Sequence, residues 1–355
     1  MNRLMRFSHL VKRYSTNIST KVIEKLSNRT ILRISGSEVD DYVQGLITND
    51  INHLKYGGSM YTFFLNTKGR VMYDAIVYKS HENDTYLIEC DLNESEKLLK
   101  HLKMYKLRKK VDVVSLKDEL DVYAMYDPTN IAIKKESVIT DGLEGLIAPC
   151  DVLAESFPKE SKTMTVFRDL YIYRDPRMFM LGSRIICPQH IDINQQITQI
   201  HPVSFSTEKN NYKWFRYLLG VGEGVEDLPP GNCFPLEANC DYLHGVSFHK
   251  GCYIGQELTA RTYHTGIVRK RLMPLYFTKI PTEVINNSYE NIIVDNVNLG
   301  KLRGIEGNVG LALLRISKCL EIGDISIGDG LCYTSKPIWW PVELPKEKLS
   351  VQKND

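Results

Sequence analysis

The run Lys250-Gly251-Cys252-Tyr253-Ile254-Gly255-Gln256-Glu257 limits the fold of this chain more than any other stretch. Gly251 and Gly255 interrupt regular structure, because glycine accepts positive φ and lets another backbone come close. Gln256 and Glu257 suit the first turn of a helix. The run therefore reads as a loop entering a helix, with Cys252 in the loop and Lys250 beside it. A cationic neighbour and a helix N-terminus both favour a thiolate. The same residues also describe a small buried thiol in a glycine-shaped turn, since free cysteine is among the most buried residue types. His249 precedes the run, and Arg261 and His264 follow it as candidate rim residues. A general-base role for His249 requires the two side chains to meet in space.

Four further stretches accompany the cysteine run: Gln44-Gly45-Leu46-Ile47-Thr48-Asn49-Asp50, Leu65-Asn66-Thr67-Lys68-Gly69-Arg70, Phe234-Pro235-Leu236-Glu237-Ala238-Asn239 and Leu258-Thr259-Ala260-Arg261-Thr262. Together these blocks resemble the YgfZ-type family, relatives of the glycine-cleavage T-protein (aminomethyltransferase) that act in iron–sulfur cluster biogenesis. They run from about Ile31 to Arg271, and in combination they are far more specific than any one short motif. The resemblance implies an α+β fold. Two interleaved antiparallel subdomains would form a ligand-binding module over 28–268, the inner one at about 117–190. A C-terminal β-barrel would follow over 269–345, with a tail at 346–355. The resemblance also implies a role in maturing [4Fe–4S] proteins, with A-type scaffold proteins and client [4Fe–4S] enzymes as partners.

The resemblance carries a candidate ligand site as well. Glu237 sits where the T-protein holds the pterin edge of tetrahydrofolate, and a carboxylate can accept two parallel N–H donors from such an edge. Gly69-Arg70-Val71-Met72-Tyr73-Asp74 matches a segment that in the T-protein has paired glycines and two adjacent aspartates. Here Arg70 replaces the second glycine and Tyr73 replaces one acid, leaving Asp74. A tyrosine with an ordinary pKa of ~10 does not act as an ionised acid near neutral pH. Arg70, Asp74 and Glu237 are thus the expected folate-binding set. Cys252 is the expected thiol contact, and a shared metal ligand if an iron–sulfur cluster is held transiently. A folate-dependent aminomethyl or one-carbon transferase is the alternative function.

Residues 1–23 carry Arg3, Arg6, Lys12, Arg13 and Lys21, several hydroxyl residues and no acid. Such a segment reads as a mitochondrial transit peptide, which places the protein in the matrix; a disordered basic tail is the other reading. Cleavage near Tyr14 would remove four positive charges and take the formal net charge from +2 to −2, leaving no overall basic bias toward nucleic acid. No stretch approaches the ~20 apolar residues that span a bilayer. Neither nucleic acid nor membrane is therefore an expected partner. Eight cysteines (Cys90, Cys150, Cys187, Cys233, Cys240, Cys252, Cys319 and Cys332) include no Cys-x-x-Cys pair. That spacing builds neither a zinc site nor a self-contained cluster site, so ligation of a cluster would be shared with a partner.

Period-2 patterns and turn residues predict strands at 30–35, 60–65, 71–78, 87–90, 111–115 and 120–125, with a strand-rich section continuing to about 186 and turns at Asp127-Pro128 and Asp141-Gly142. Helices are predicted at 38–46, 93–104 and 212–219, the second with Asn93 as cap and Glu96 completing a capping box. Lys103, Lys106, Arg108, Lys109 and Lys110 form a basic cluster behind that helix. It reads either as an anion or acidic-partner patch or as a solvated helix end. Gly220-Val221-Gly222-Glu223-Gly224 resembles a phosphate loop at a glance, but it runs toward Pro229-Pro230 and lacks the Gly-Lys-Ser/Thr ending; it is expected to be a turn. Beyond Arg271, short apolar runs separated by glycines predict a small barrel or sandwich, against which Trp339 and Trp340 dock.

Overall fold

The computed structural model describes residues 21–55, 58–128, 164–199, 203–206, 210–282 and 290–341. The expected leader up to residue 20, the turn expected at Asp141-Gly142 and the charged tail lie outside them. Strand β1 (Val22–Lys25) starts two residues inside the segment expected as leader and ahead of the expected module start at 28. The chain then passes into a second sheet of β2 (Arg29–Ser35), β3 (Ser59–Leu65), β4 (Val71–Lys79), β5 (Thr85–Asp91) and β6 (Asp112–Ser115), ordered β3-β4-β5-β2-β6. It returns to the first sheet with β7 (Leu120–Tyr126), β8 (Met164–Phe167), β9 (Leu170–Arg174), β10 (Ser183–Pro188) and β11 (Ser204–Phe205), ordered β11-β1-β7-β10-β9-β8. This return interleaves the two sheets, because β1 pairs with β7 in the register Val22↔Tyr126. The pairing of β1 with β11 is parallel, an exception to the antiparallel pattern.

The third sheet holds β12 (Lys270–Lys279), β13 (Asn291–Val294), β14 (Val297–Glu306), β15 (Val309–Arg315), β16 (Asp324–Ile327) and β17 (Gly330–Thr334). Its order is β13-β14-β15-β12-β17-β16, and the outer strands β13 and β16 come back alongside each other to nearly close a barrel.

Alternation along the strands divides the core. On β3 and β4, Tyr61, Phe63, Ile76 and Tyr78 face the interior shared by all three sheets. Met60, Phe64, Tyr73, Ala75 and Val77 face a second cluster under the helices α1 (Val39–Gln44) and α2 (Ser95–Tyr105). This is the period-2 geometry of a pleated strand with both faces covered. Helix α2 buries Leu98 and Leu102 in that cluster, each contributing about 1.5–3 kcal/mol. Its cap differs from the sequence expectation. Asp91, two residues before Asn93, accepts the Asn93 N–H at 2.8 Å and starts a single 3-10 turn, and the helix proper follows from Ser95 without a side-chain cap. Asp91 terminates β5 and so already faces the turn, whereas Asn93 lies inside it.

The remaining α-helices among the described residues are α3 (Ile193–Ile197), α4 (Asn211–Leu219), α5 (Gly224–Asp227), α6 (Gln256–Thr265) and α7 (Ile316–Ile322). Trp339 and Trp340 dock where α4 meets the barrel. The Trp339 indole donates to the Leu219 carbonyl at 2.7 Å, and Trp340 packs near Tyr242 and Arg271.

Candidate functional site

Cys252 is exposed, whereas Cys90, Cys187, Cys233, Cys240, Cys319 and Cys332 are buried. Burial pushes the thiols of Cys90, Cys233 and Cys332 up to about 12 and those of Cys187 and Cys319 up to about 11. These buried sulfurs are therefore protonated near neutral pH and are not presented to another molecule. Of the two readings of the cysteine run, exposure is the one observed.

The loop that carries Cys252 is pinned on both sides. The Lys250 ammonium donates to the carbonyls of Gln44, Ile47 and Asn49, each at 2.7 Å. Burial pushes its pKa down to about 7, against the pull of Asp50. In its protonated form Lys250 thus spends its three N–H donors on backbone oxygens and clamps the loop. Beyond the cysteine, the Ile254 N–H donates to the Gly45 carbonyl at 3.2 Å. The Gln256 side chain accepts the Tyr253 N–H at 3.1 Å, and Glu257 is exposed in the first turn of α6.

Gly255 has φ +78, and a Cβ there would lie 2.4 Å from the Asn66 carbonyl oxygen. A Cβ on Gly69, φ +73, would lie 2.9 Å from the Gly255 oxygen. The two glycines therefore let the β3–β4 turn and the start of α6 touch, which explains why both motifs occur in one chain. Gly251 meets no such demand, since a Cβ there would touch nothing within 4 Å.

The segment 44–50 is locked to the same region. Thr48 donates its hydroxyl to the Gly245 carbonyl at 2.6 Å, and the Asn49 amide donates to the carbonyls of Tyr61 and His244, both at 2.8 Å. Phe248 stacks on Tyr263 of α6 with ring centroids 3.6 Å apart, and the His264 ring sits edge-on to both. His249 and Arg261 are exposed.

The expected ligand residues lie elsewhere, around the buried Cys233. Arg70 lies over the Phe234 ring at 4.4 Å, and the half-buried Glu237 accepts the Phe234 N–H at 3.1 Å. Arg70 and Glu237 thus meet at Phe234, while Asp74 lies in the buried network described below. Tyr73 and Asp74, adjacent on β4, point to opposite faces. Tyr73 packs against His101 of α2, so the tyrosine at this position takes no acid away from the side that holds Asp74.

Asp74 is 3 % exposed and joins a buried ion network that the sequence reading missed. Its Oδ1 accepts the Gly224 N–H at 3.0 Å and lies 3.6 Å from Arg29. Arg29 pairs with Glu89 at 2.9 Å, and Glu89 also accepts the Tyr78 hydroxyl at 2.5 Å. Arg177 grips Asp175 with two bonds of 2.9 and 2.7 Å and reaches Glu223 at 2.8 Å, where Arg184 also pairs. Arg216 binds Asp227 at 2.9 Å. Burial would raise the Glu223 pKa, but Arg184, Arg177 and Arg216 outweigh it and hold the carboxyl well below its ordinary range. At Asp74 burial wins over Arg29, and the pKa is raised.

The glycine-rich stretch 220–224 has a role here. It leads into the one-turn helix α5 rather than ending as a plain turn. The N–H groups of Glu223, Gly224 and Val225 bind Asp227, Asp74 and Asp91 at 2.8, 3.0 and 3.1 Å. The anions held by this loop are the chain's own carboxylates. Tyr61 was also missed: its hydroxyl, like Asp74 Oδ2, is buried without a hydrogen-bond partner among the described residues, and burial together with the Asp74 charge pushes its pKa up. Charged residues inside apolar runs, Glu89 in Leu87-Ile88-Glu89-Cys90 and Arg184 in Ser183-Arg184-Ile185-Ile186, were the available signal. Among the described residues, no group of three or more His, Cys, Asp or Glu side chains is placed to hold a metal ion.

Comparison with known proteins agrees with this geometry. Residues 20–137 match the family model described as the GCVT N-terminal domain, and residues 269–342 match the CAF17 C-terminal beta-barrel domain. The chain is 35% identical over 332 residues to the mitochondrial iron-sulfur cluster assembly factor IBA57 of Homo sapiens, covering 89% of this chain and 85% of that protein. The Mus musculus counterpart is 33% identical over 335 residues with the same coverage. The Dictyostelium discoideum homolog is 31% identical over 299 residues, 77% of this chain and 67% of that protein. The glycine cleavage system aminomethyltransferase T from Bartonella henselae superposes with a TM-score of 0.66 at 14% identity, covering 93% of this chain and 88% of that one. That likeness establishes the fold, which is the α+β architecture expected.

Proposed function

The chain belongs to the IBA57 family of mitochondrial iron–sulfur cluster assembly factors, and from that premise we propose that it acts in the maturation of [4Fe–4S] proteins beside an A-type scaffold partner. It is a protein of the mitochondrial matrix. One observation carries the mechanistic reading: Cys252 is exposed on a loop fixed by the Lys250 clamp and the Ile254–Gly45 bond. A cluster normally takes four protein ligands. Cys252, on losing its proton, supplies one of them, and the partner supplies the rest. Fixing the loop beforehand removes part of the ordering cost of forming that contact. The test is anaerobic mixing with a cluster-loaded A-type scaffold, followed by gel filtration with visible absorbance. The wild-type chain should co-elute with the chromophore and Cys252→Ala should not; equal co-elution would remove the role of the sulfur.

Tetrahydrofolate binding is part of the proposal, and the residues fit it. Glu237 spends one oxygen on the Phe234 N–H and keeps the other for an aminopyrimidine edge. Asp74 Oδ2 and the Tyr61 hydroxyl are buried polar atoms without partners among the described residues, a state that a polar ligand would relieve. Bound tetrahydrofolate would supply a carrier for one-carbon units. A one-carbon transferase is the second reading, favoured by the raised pKa of Asp74, which equips it to hold a proton. Turnover with tetrahydrofolate and an aminomethyl donor would place that reading first.

A further inference from the structure

The outward face of α2 is left unused by the proposed function. Lys100, Lys103 and Met104 lie on the side of α2 opposite the buried Leu98 and Leu102, and the exposed Leu107 and Arg108 follow in the turn just past its end. Met104 is 62% exposed and Leu107 85%. The acids nearby are engaged elsewhere: Glu94 with Lys97, Glu96 with Lys117, and Glu38 and Asp41 with Lys109. Lys100, Lys103 and Arg108 have no acidic partner among the described residues. Leu107, just past the end of the helix, has φ 48. Leucine rarely adopts that left-handed conformation, in which glycine or asparagine is usual. A left-handed residue is a common helix ending; what that ending does not require is an exposed leucine there, with exposed Lys103 and Arg108 near it in sequence.

We propose that this face adsorbs to an anionic phospholipid bilayer. The patch is a convex helix end, not a groove, so it suits a flat deformable surface. The cations would meet lipid phosphates, their aliphatic stems lying along the interface, while Met104 and Leu107 enter the headgroup boundary. No helix among the described residues is long and apolar enough to cross a membrane, so the contact is reversible adsorption. Each cation near an anionic leaflet strengthens partition about fivefold.

The test is sedimentation with vesicles of phosphatidylcholine alone or with one third phosphatidylglycerol. The chain should pellet with the anionic vesicles only, and should be released as salt is raised. The double variant Lys103→Glu/Arg108→Glu should weaken partition at least 25-fold, about fivefold for each cation lost. Leu107→Gly relieves the left-handed strain and so keeps the fold, yet it should also weaken partition. Equal pelleting with both vesicle types, or unchanged partition of both variants, would overturn the proposal. No adsorption to vesicles together with charge-sensitive retention on immobilised polyglutamate would assign the face to an acidic protein instead, and would equally overturn it.

Discussion

The buried centre and the Cys252 loop are both built from charged groups meeting backbone, and they reach opposite ends. In the centre, Arg29, Arg177, Arg184 and Arg216 are paired with carboxylates out of contact with water, and the N–H groups of residues 223–225 are filled by side chains of the same molecule. At the loop, a single ammonium on three carbonyls holds a sulfur out in solvent. In the interior nearly every charge is matched within the molecule, whereas the loop leaves its sulfur exposed to solvent.

That contrast can be broken first at its buried side. Glu223→Ala removes the carboxylate shared by three guanidiniums, each of which keeps another acid, and should cost about 3 kcal/mol, read as a lowered urea midpoint. The same carboxylate makes an acid prediction. Glu223 has a folded pKa well below its ordinary 4.5, so the unfolded chain takes up the proton first. Its stabilisation is complete above pH 4.5 and drains away as pH falls below it. Glu223→Gln should flatten that acid limb.

A smaller effect is expected at the loop. Lys250→Met leaves three carbonyls without their donor and should cost about 1–3 kcal/mol. It should also change the alkylation rate of Cys252, which an effect on stability alone would not do. Tyr61→Phe removes an unpaired buried hydroxyl, so stability should stay within about 1 kcal/mol of wild type. Tetrahydrofolate affinity, followed by calorimetry, should fall about fivefold. Cys252→Ser should leave stability within ~0.5 kcal/mol; a larger loss would mean that the sulfur is a packing group after all.

Much of the frame was legible because strands advertise themselves by alternation. Strands β2 to β5 and the barrel lie where apolar periodicity and glycine turns put them. The exposed loop could be found because Gly251, Cys252 and Gly255 stand together. Partners across long sequence separations were not legible. Nothing in Lys250 alone says that its protons go to residues 44–49, and nothing in Gly224 says that its N–H meets Asp74, 150 residues away. Tyr73 misled for a related reason: the motif places it beside Asp74, but the pleat turns it to the other face. Short-range capping failed as well, since Asp91 was hidden at a strand end and Asn93 looked like the better cap.

The central claim is that Cys252 is reachable in the free protein and covered when a cluster is shared. Maleimide labelling under native, anaerobic conditions, with the labelled peptide mapped by mass spectrometry, tests it directly. The account predicts rapid labelling of Cys252 in the free chain and strong protection once a cluster-loaded A-type scaffold is bound. Labelling of Cys252 at the same rate in the complex, or no labelling of it in the free protein, would contradict the account.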